Sequence, residues 1–186
     1  MTALVLFERA VIVYFLIVNS FYGLLLISAT LQLRSHGRRV WRESIWRVLS
    51  SDVAPSITVI APAYNESATI TESVRALLTL YYPSLQLVVV NDGSSDETMD
   101  VLSKQFSLSA HDPIYEEAIE TRRVVGTFRS LDHPELVVID KENGGKADAL
   151  NAGLNIASGD LVCAIDADTI IEPDALQRMV RPFISD

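Results

Sequence analysis

Asp166 and Asp168 stand two residues apart, just beyond the apolar run Leu161-Val162-Cys163-Ala164-Ile165. If the chain stays extended there, both carboxylates project into one space. Two close carboxylates then raise each other's pKa unless a cation lies between them. Hard oxygen donors favour Mg²⁺ or Mn²⁺, which keep several waters and share their remaining positions with a substrate diphosphate. The alternative use of the same residues is a helix N-cap by Asp168 or Thr169 ahead of Glu172. A second group is Asn143-Gly144-Gly145-Lys146. Its glycines let backbone N–H groups approach an anion at the positive end of a helix, and Lys146 adds a point charge; a simple Schellman-like turn is the plainer reading. The spacing matches neither a P-loop nor a dinucleotide-binding fingerprint, so ATPase and NAD-dependent chemistry lose their main support. Asp92, at the end of another apolar run, could accept hydrogen bonds from a base N–H, and Tyr64 could stack on a ring. Either could equally tie down its own loop.

These groups need a frame, and the hydrophobic pattern supplies one. Beyond Pro55 a buried strand followed by a helix recurs four times. The strands are residues 57–61, 85–90, 136–139 and 161–165. The helical stripes are Ile70, Val74, Leu77 and Leu78; Met99, Leu102 and Phe106 after capping residues Ser94-Ser95-Asp96-Glu97; Ala147, Leu150, Leu154 and Ala157; and Leu176, Met179, Val180 and Phe183 in a helix started by Pro173. Strands apolar on both faces that alternate with helices specify an α/β fold with a mostly parallel sheet covered on each side. All strand C-termini then open on one edge, where ligands bind. Every polar cluster above falls on that edge. Residues 108–135 break the rhythm, and Val124-Val125 and Thr127-Phe128 around Gly126 suggest a short strand inside this insertion.

Residues 10–33 form 24 consecutive uncharged positions, about 36 Å of helix, enough for one transmembrane span. Arg34, Arg38, Arg39, Arg42 and Arg47 follow it, which places the downstream domain in the cytoplasm and the N-terminus outside. Trp41, Ile45, Trp46 and Leu49 suggest an amphipathic stretch at the headgroup level, with a solvated linker helix as the alternative. The boundary therefore falls after residue 49. Residues 1–49 carry six arginines against Glu8 and Glu43, a net +4, leaving nine basic against 22 acidic residues, or −13, in 50–186. A domain of that charge has no basic face for a row of phosphates, which excludes general nucleic-acid binding. The single Cys163 cannot form an internal disulfide and reads as core.

Four segments taken together carry a family resemblance: Ala61-Pro62-Ala63-Tyr64-Asn65-Glu66, Val90-Asn91-Asp92-Gly93-Ser94-Ser95-Asp96-Glu97-Thr98, Asn143-Gly144-Gly145-Lys146-Ala147-Asp148-Ala149-Leu150-Asn151 and Asp166-Ala167-Asp168. In order, over residues 55–180 without the insertion, they resemble the family 2 glycosyltransferases of the GT-A fold, within them the membrane-bound polysaccharide-synthase branch. The resemblance implies that Pro62, Ala63, Tyr64, Asn65, Glu66, Asp92 and Gly93 hold the base and ribose of a nucleotide-sugar, with a UDP-sugar favoured, and that Lys146 lies near the nucleotide. Asp166 and Asp168 match the family's DxD, with Asp168 the direct ligand of Mg²⁺ or Mn²⁺ and Asp166 bridging ribose or metal. It further implies inverting transfer to a polysaccharide or lipid-linked acceptor. The general base is expected beyond Asp186, so that the chain resembles a donor-binding half whose acceptor half is missing or supplied by a second chain. A membrane-tethered, non-catalytic nucleotide-binding or interaction module is the alternative. A HAD-type phosphatase fits less well, since its motif wants Thr or Val where Ile170 stands. A sugar-1-phosphate nucleotidyltransferase lacks its Gly-rich, Arg-containing first loop here.

Overall fold

A computed structural model describes residues 2–42, 54–113, 117–169 and 171–184. Two compact bodies emerge, residues 1–47 and 48–186. The first is helix α1 (Thr2–Arg42), of which Val5–Leu33 is long and apolar enough to cross a membrane. Apolar side chains are exposed around this span, Leu16, Phe21 and Leu26 among them, as in a helix that is not built to bury a single stripe. Of the amphipathic stretch, Ile45, Trp46 and Leu49 lie outside the described residues.

The second body runs β1 (Ile57–Ala63), α2 (Ile70–Leu78), β2 (Leu85–Asp92), α3 (Thr98–Gln105), β3 (Leu108–Ala110), β4 (Val124–Ser130), β5 (Leu136–Lys141), α4 (Lys146–Ile156), β6 (Leu161–Ala164) and α5 (Ala175–Ile184). The sheet order is β3-β4-β5-β2-β1-β6. Strands β5, β2, β1 and β6 are parallel, whereas β3 and β4 add an antiparallel edge. The strands are apolar on both faces because each face has its own core. Val59, Leu87, Val89 and Val138 pack with Ile70, Val74 and Leu77 of α2, Leu102 of α3, and Leu176 and Val180 of α5. Their alternates Ile60, Val88, Val90 and Ile139 pack with Ala149 and Ala152 of α4. Period-two alternation thus feeds two layers. Among the described residues no buried side-chain N or O lacks a partner.

Three details differ from the sequence expectation. The insertion holds two strands rather than one, β3 and β4, with a register shift between Val124 and Gly126 where β4 meets β5. Helix α4 buries Ala149, Ala152 and Gly153, leaving Ala147 and Leu154 exposed. The helix sits so close to the sheet that a Cβ on Gly153 would overlap Ile60 Cγ2, so small residues must face inward. In α5, Leu176 and Val180 are buried, but Met179 and Phe183 are exposed and Gln177 takes an inward position. Its Nε2 donates to the Tyr81 carbonyl at 2.8 Å, which compensates for burying an amide.

The close approach of α4 gives a test. Gly153→Ala adds a methyl group against the stiff, buried Ile60 side chain. The overpacking cost of about 1–3 kcal/mol exceeds the roughly 1 kcal/mol an alanine adds to a helix. Urea denaturation of the full chain in detergent should show a net loss, partly recovered by Ile60→Ala.

Candidate active site

Two loops at the carboxyl ends of β1 and β2 are stapled to each other. Asn65 adopts a left-handed conformation, φ 56°. That turn presents its side-chain oxygen to the Ser95 amide at 2.8 Å, while its own amide donates to Ser94 Oγ at 2.9 Å. Asp96 accepts from the Ser67 amide at 3.1 Å and from the Thr98 amide and hydroxyl at 3.0 and 2.5 Å. Thr98 Oγ1 in turn accepts from the Glu66 amide at 2.9 Å. The polar run 94–98, which reads as capping residues, therefore also fixes the Tyr64-Asn65-Glu66 loop.

A buried cation holds the next pair of loops. Asp92 and Lys141 are partners in the parallel β2/β5 register. Lys141 Nζ donates to Asp92 Oδ1 at 2.6 Å and to the Glu142 carbonyl at 2.6 Å, and pairs with Asp148 Oδ2 at 2.5 Å. All three of its N–H donors are engaged and its side chain is fully buried. Burial works against the ammonium, but the hydrogen bonds and charges of Asp148 and Asp92 outweigh it and raise the Lys141 pKa. The same contact outweighs burial at Asp148 and lowers its pKa.

Asp92 also accepts from the amides of Gly144 at 3.0 Å and Gly145 at 2.7 Å, and its carbonyl takes Asn143 Nδ2 at 2.9 Å. The glycine amides read as a cradle for an external anion already hold an internal one, the Asp92 carboxylate. Gly93 makes this possible: at φ 64°, a Cβ there would lie 2.5 Å from the Asn143 amide nitrogen.

Pro62, Ala63, Tyr64 and Glu66 meet Asp92, Lys146, Asp166, Ala167 and Asp168 around one cleft of about 280 Å³. Asn65 and Gly93 do not line it; they shape the loops behind it. The 166–169 segment is a turn closed by the Thr169 amide on the Asp166 carbonyl at 2.9 Å, so the chain is not extended there, yet both residues line the same cleft. Neither caps a helix, because α5 begins only at Ala175. Lys146 pairs with Asp166 across the cleft, both side chains more than half exposed. Among the described residues no third His, Cys, Asp or Glu joins this pair as a ready metal cluster. Beyond Pro62, Lys146 and Asp166 lies an apolar hollow of about 390 Å³, formed in part by Leu150, Ile165, Ile171 and Met179.

The reading of the sequence missed Lys141, Asp148 and the Asp96–Thr98 staple. Lys141 had one signal: a lysine closing an apolar strand, level with an aspartate that closes its neighbour.

This arrangement has relatives. Residues 58–186 match the model of glycosyl transferase family 2, and the chain belongs to that family. It is 31% identical over 139 residues to the poly-beta-1,6-N-acetyl-D-glucosamine synthase of Staphylococcus aureus (strain COL), covering 74% of this chain and 28% of that protein. Its fold is similar to that of a mannosyltransferase from Pyrobaculum calidifontis in complex with GDP-Man and Mn²⁺, with TM-score 0.53 and 29% identity over 78% of this chain and 39% of the other. It is also similar to S. aureus TarS 1-349 in complex with UDP-GlcNAc, with TM-score 0.50 and 25% identity over 70% of this chain and 31% of the other.

The staple carries a pH signature. The Thr98 hydroxyl, with help from the Ser67 and Thr98 amides, lowers the Asp96 pKa to about 2 despite some opposing desolvation. A lowered folded-state pKa means that the stabilisation is present above the ordinary aspartate value of about 3.9 and fades as pH falls through the folded value. A carboxyl NMR titration should place the Asp96 midpoint near 2, and Thr98→Val should move it back toward the ordinary value.

Proposed function

We propose that this chain is the donor-binding part of an inverting glycosyltransferase and holds a nucleoside-diphosphate sugar, a UDP-sugar by preference, in the cleft between β1, β2, α4 and the Asp166–Asp168 turn. The observation that carries this reading is the convergence of Tyr64, Asp92, Lys146, Asp166 and Asp168 on one rim from four separate loops. In this reading Pro62, Ala63, Tyr64 and Glu66 flank the base and ribose. Asp92 has one acceptor position left on Oδ2 after its bonds to the glycine amides and Lys141, and it offers that position to a base N–H. Lys146 supplies a point charge to the diphosphate.

The donor set fits Mg²⁺ or Mn²⁺. Asp166 and Asp168 provide only oxygen ligands, and two carboxylates leave most octahedral positions to water and phosphate, the usual manner in which such ions are held. When bound, the ion would neutralise charge developing on the leaving diphosphate. The Mn²⁺ in the mannosyltransferase complex supports this choice, and GDP-Man and UDP-GlcNAc in the two related structures support a nucleotide-sugar donor. Lys146, which pairs with Asp166 across the cleft, would lie near the same diphosphate. No described residue is assigned the role of general base.

The acceptor we propose is a growing polysaccharide or a lipid-linked sugar, a reading supported by the synthase relative. In this reading helix α1 anchors the chain in the membrane, and the arginines that follow the apolar span support a cytoplasmic position for residues 50–186 with the N-terminus outside. Calorimetric titration of the full chain in detergent with UDP tests the donor reading. Binding should strengthen at least tenfold when Mn²⁺ is added, about 1.4 kcal/mol, and Asp168→Asn should abolish that gain. Absence of UDP binding would overturn the donor reading, and metal-independent binding that Asp168→Asn leaves unchanged would overturn the metal role given to Asp168.

A further inference from the structure

Lys141 does not line the cleft, and nothing in the donor reading requires it. Its surroundings nevertheless connect three pieces of the site. On one side, its ammonium holds Asp92 Oδ1, whose carboxylate receives the Gly144 and Gly145 amides. On the other, it holds Asp148 in the first turn of α4, two residues after Lys146. Asp148 extends the chain of contacts outward, since both its carboxylate oxygens accept from the Arg122 amide, at 3.1 and 3.2 Å. The segment running up to Arg122 is also clamped by Asn155, which donates to the Ile119 carbonyl at 2.8 Å and accepts its amide at 3.0 Å. Glu142 completes the tie by donating its amide to the Arg123 carbonyl at 2.9 Å.

A carboxylate with no such partners would rotate among several acceptor geometries. With Lys141 and two glycine amides in place, three of the four acceptor positions on Asp92 are fixed, and the direction of the fourth is determined. We infer that Lys141 is a positioning residue for base recognition: through its bridge between Asp92 and Asp148 it orients the Asp92 carboxylate toward the base of the donor, and it acts less on the diphosphate end of the site, whose Lys146, Asp166 and Asp168 are not among its hydrogen-bond partners. The inference rests on the donor reading above and concerns how that site selects its base.

Lys141→Met alone strands two carboxylates and is at risk of unfolding. The double variant Lys141→Met/Asp148→Asn removes the cation with one of its two anions, and Lys141→Arg retains the charge. The full chain in detergent with Mg²⁺ is titrated with UDP, GDP and inorganic pyrophosphate, and its helical content is followed by circular dichroism. The wild type should distinguish UDP from GDP by at least tenfold. In the folded double variant that preference should collapse to within twofold while pyrophosphate affinity changes less than twofold, and Lys141→Arg should restore part of the preference. A folded double variant that keeps the wild-type UDP/GDP ratio, or loses UDP and pyrophosphate in parallel, overturns the inference and leaves the donor reading standing. A wild type that binds UDP without preference over GDP also overturns it. A wild type that binds neither nucleotide nor pyrophosphate overturns the donor reading and the inference together.

Discussion

A single ammonium group sealed among carboxylates organises the carboxyl edge of this sheet. Taking a lysine and its partners out of water is costly, and the loss is recovered only when every donor and acceptor has a partner of good geometry. Lys141 meets that condition with Asp92, Asp148 and the Glu142 carbonyl. The two carboxylates it faces also share their charge with backbone amides, Asp92 with those of Gly144 and Gly145 and Asp148 with that of Arg122. Three segments distant in sequence, the end of β2, the turn into α4 and the stretch of the insertion leading into β4, are thereby held in one arrangement. Their other polar contacts would be too weak singly to specify it.

The cleft beside this cluster carries its charge differently. Because the glycine amides are committed to Asp92, the positive end of α4 is largely satisfied from within, and the cation on the rim is Lys146, itself paired with Asp166. A strongly acidic domain that is to hold a diphosphate must therefore bring in positive charge from outside. The oxygen-only pair Asp166 and Asp168 suits a divalent ion in that role, and the proposed donor chemistry follows from this balance more than from any pre-formed anion cradle.

Much of the frame was legible because it depends on periodicity. Runs such as Leu87-Val88-Val89-Val90 announce a parallel strand covered on both faces, and Ile70, Val74 and Leu77 announce the helix above it. The rim was legible because polar residues cluster where apolar runs stop. What escaped depends on contacts between segments far apart in sequence. The inward face of α4 centres on Ala149, Ala152 and Gly153 because the sheet lies so close; Leu150 packs at the margin of that core as its stripe suggests, but Leu154, which looks like natural core, is left exposed. The unexpected strand of the insertion, β3, is three residues long and exists by pairing with β4, so no local signal marks it. Lys141 was passed over because a charged residue after an apolar run normally marks the return to solvent, and only the register with Asp92 turns it inward.

The missing side chain at Gly153 acts as a gauge block. It sets the gap between helix and sheet, and Lys146 sits two turns along the same rigid rod, about 10 Å away. Thickening the shim would lift the rod and withdraw the lysine's tip from the rim without altering any residue of the pocket. Variation at a position that never meets a ligand would then detune recognition of one, and a survey confined to pocket-lining positions would overlook the cause.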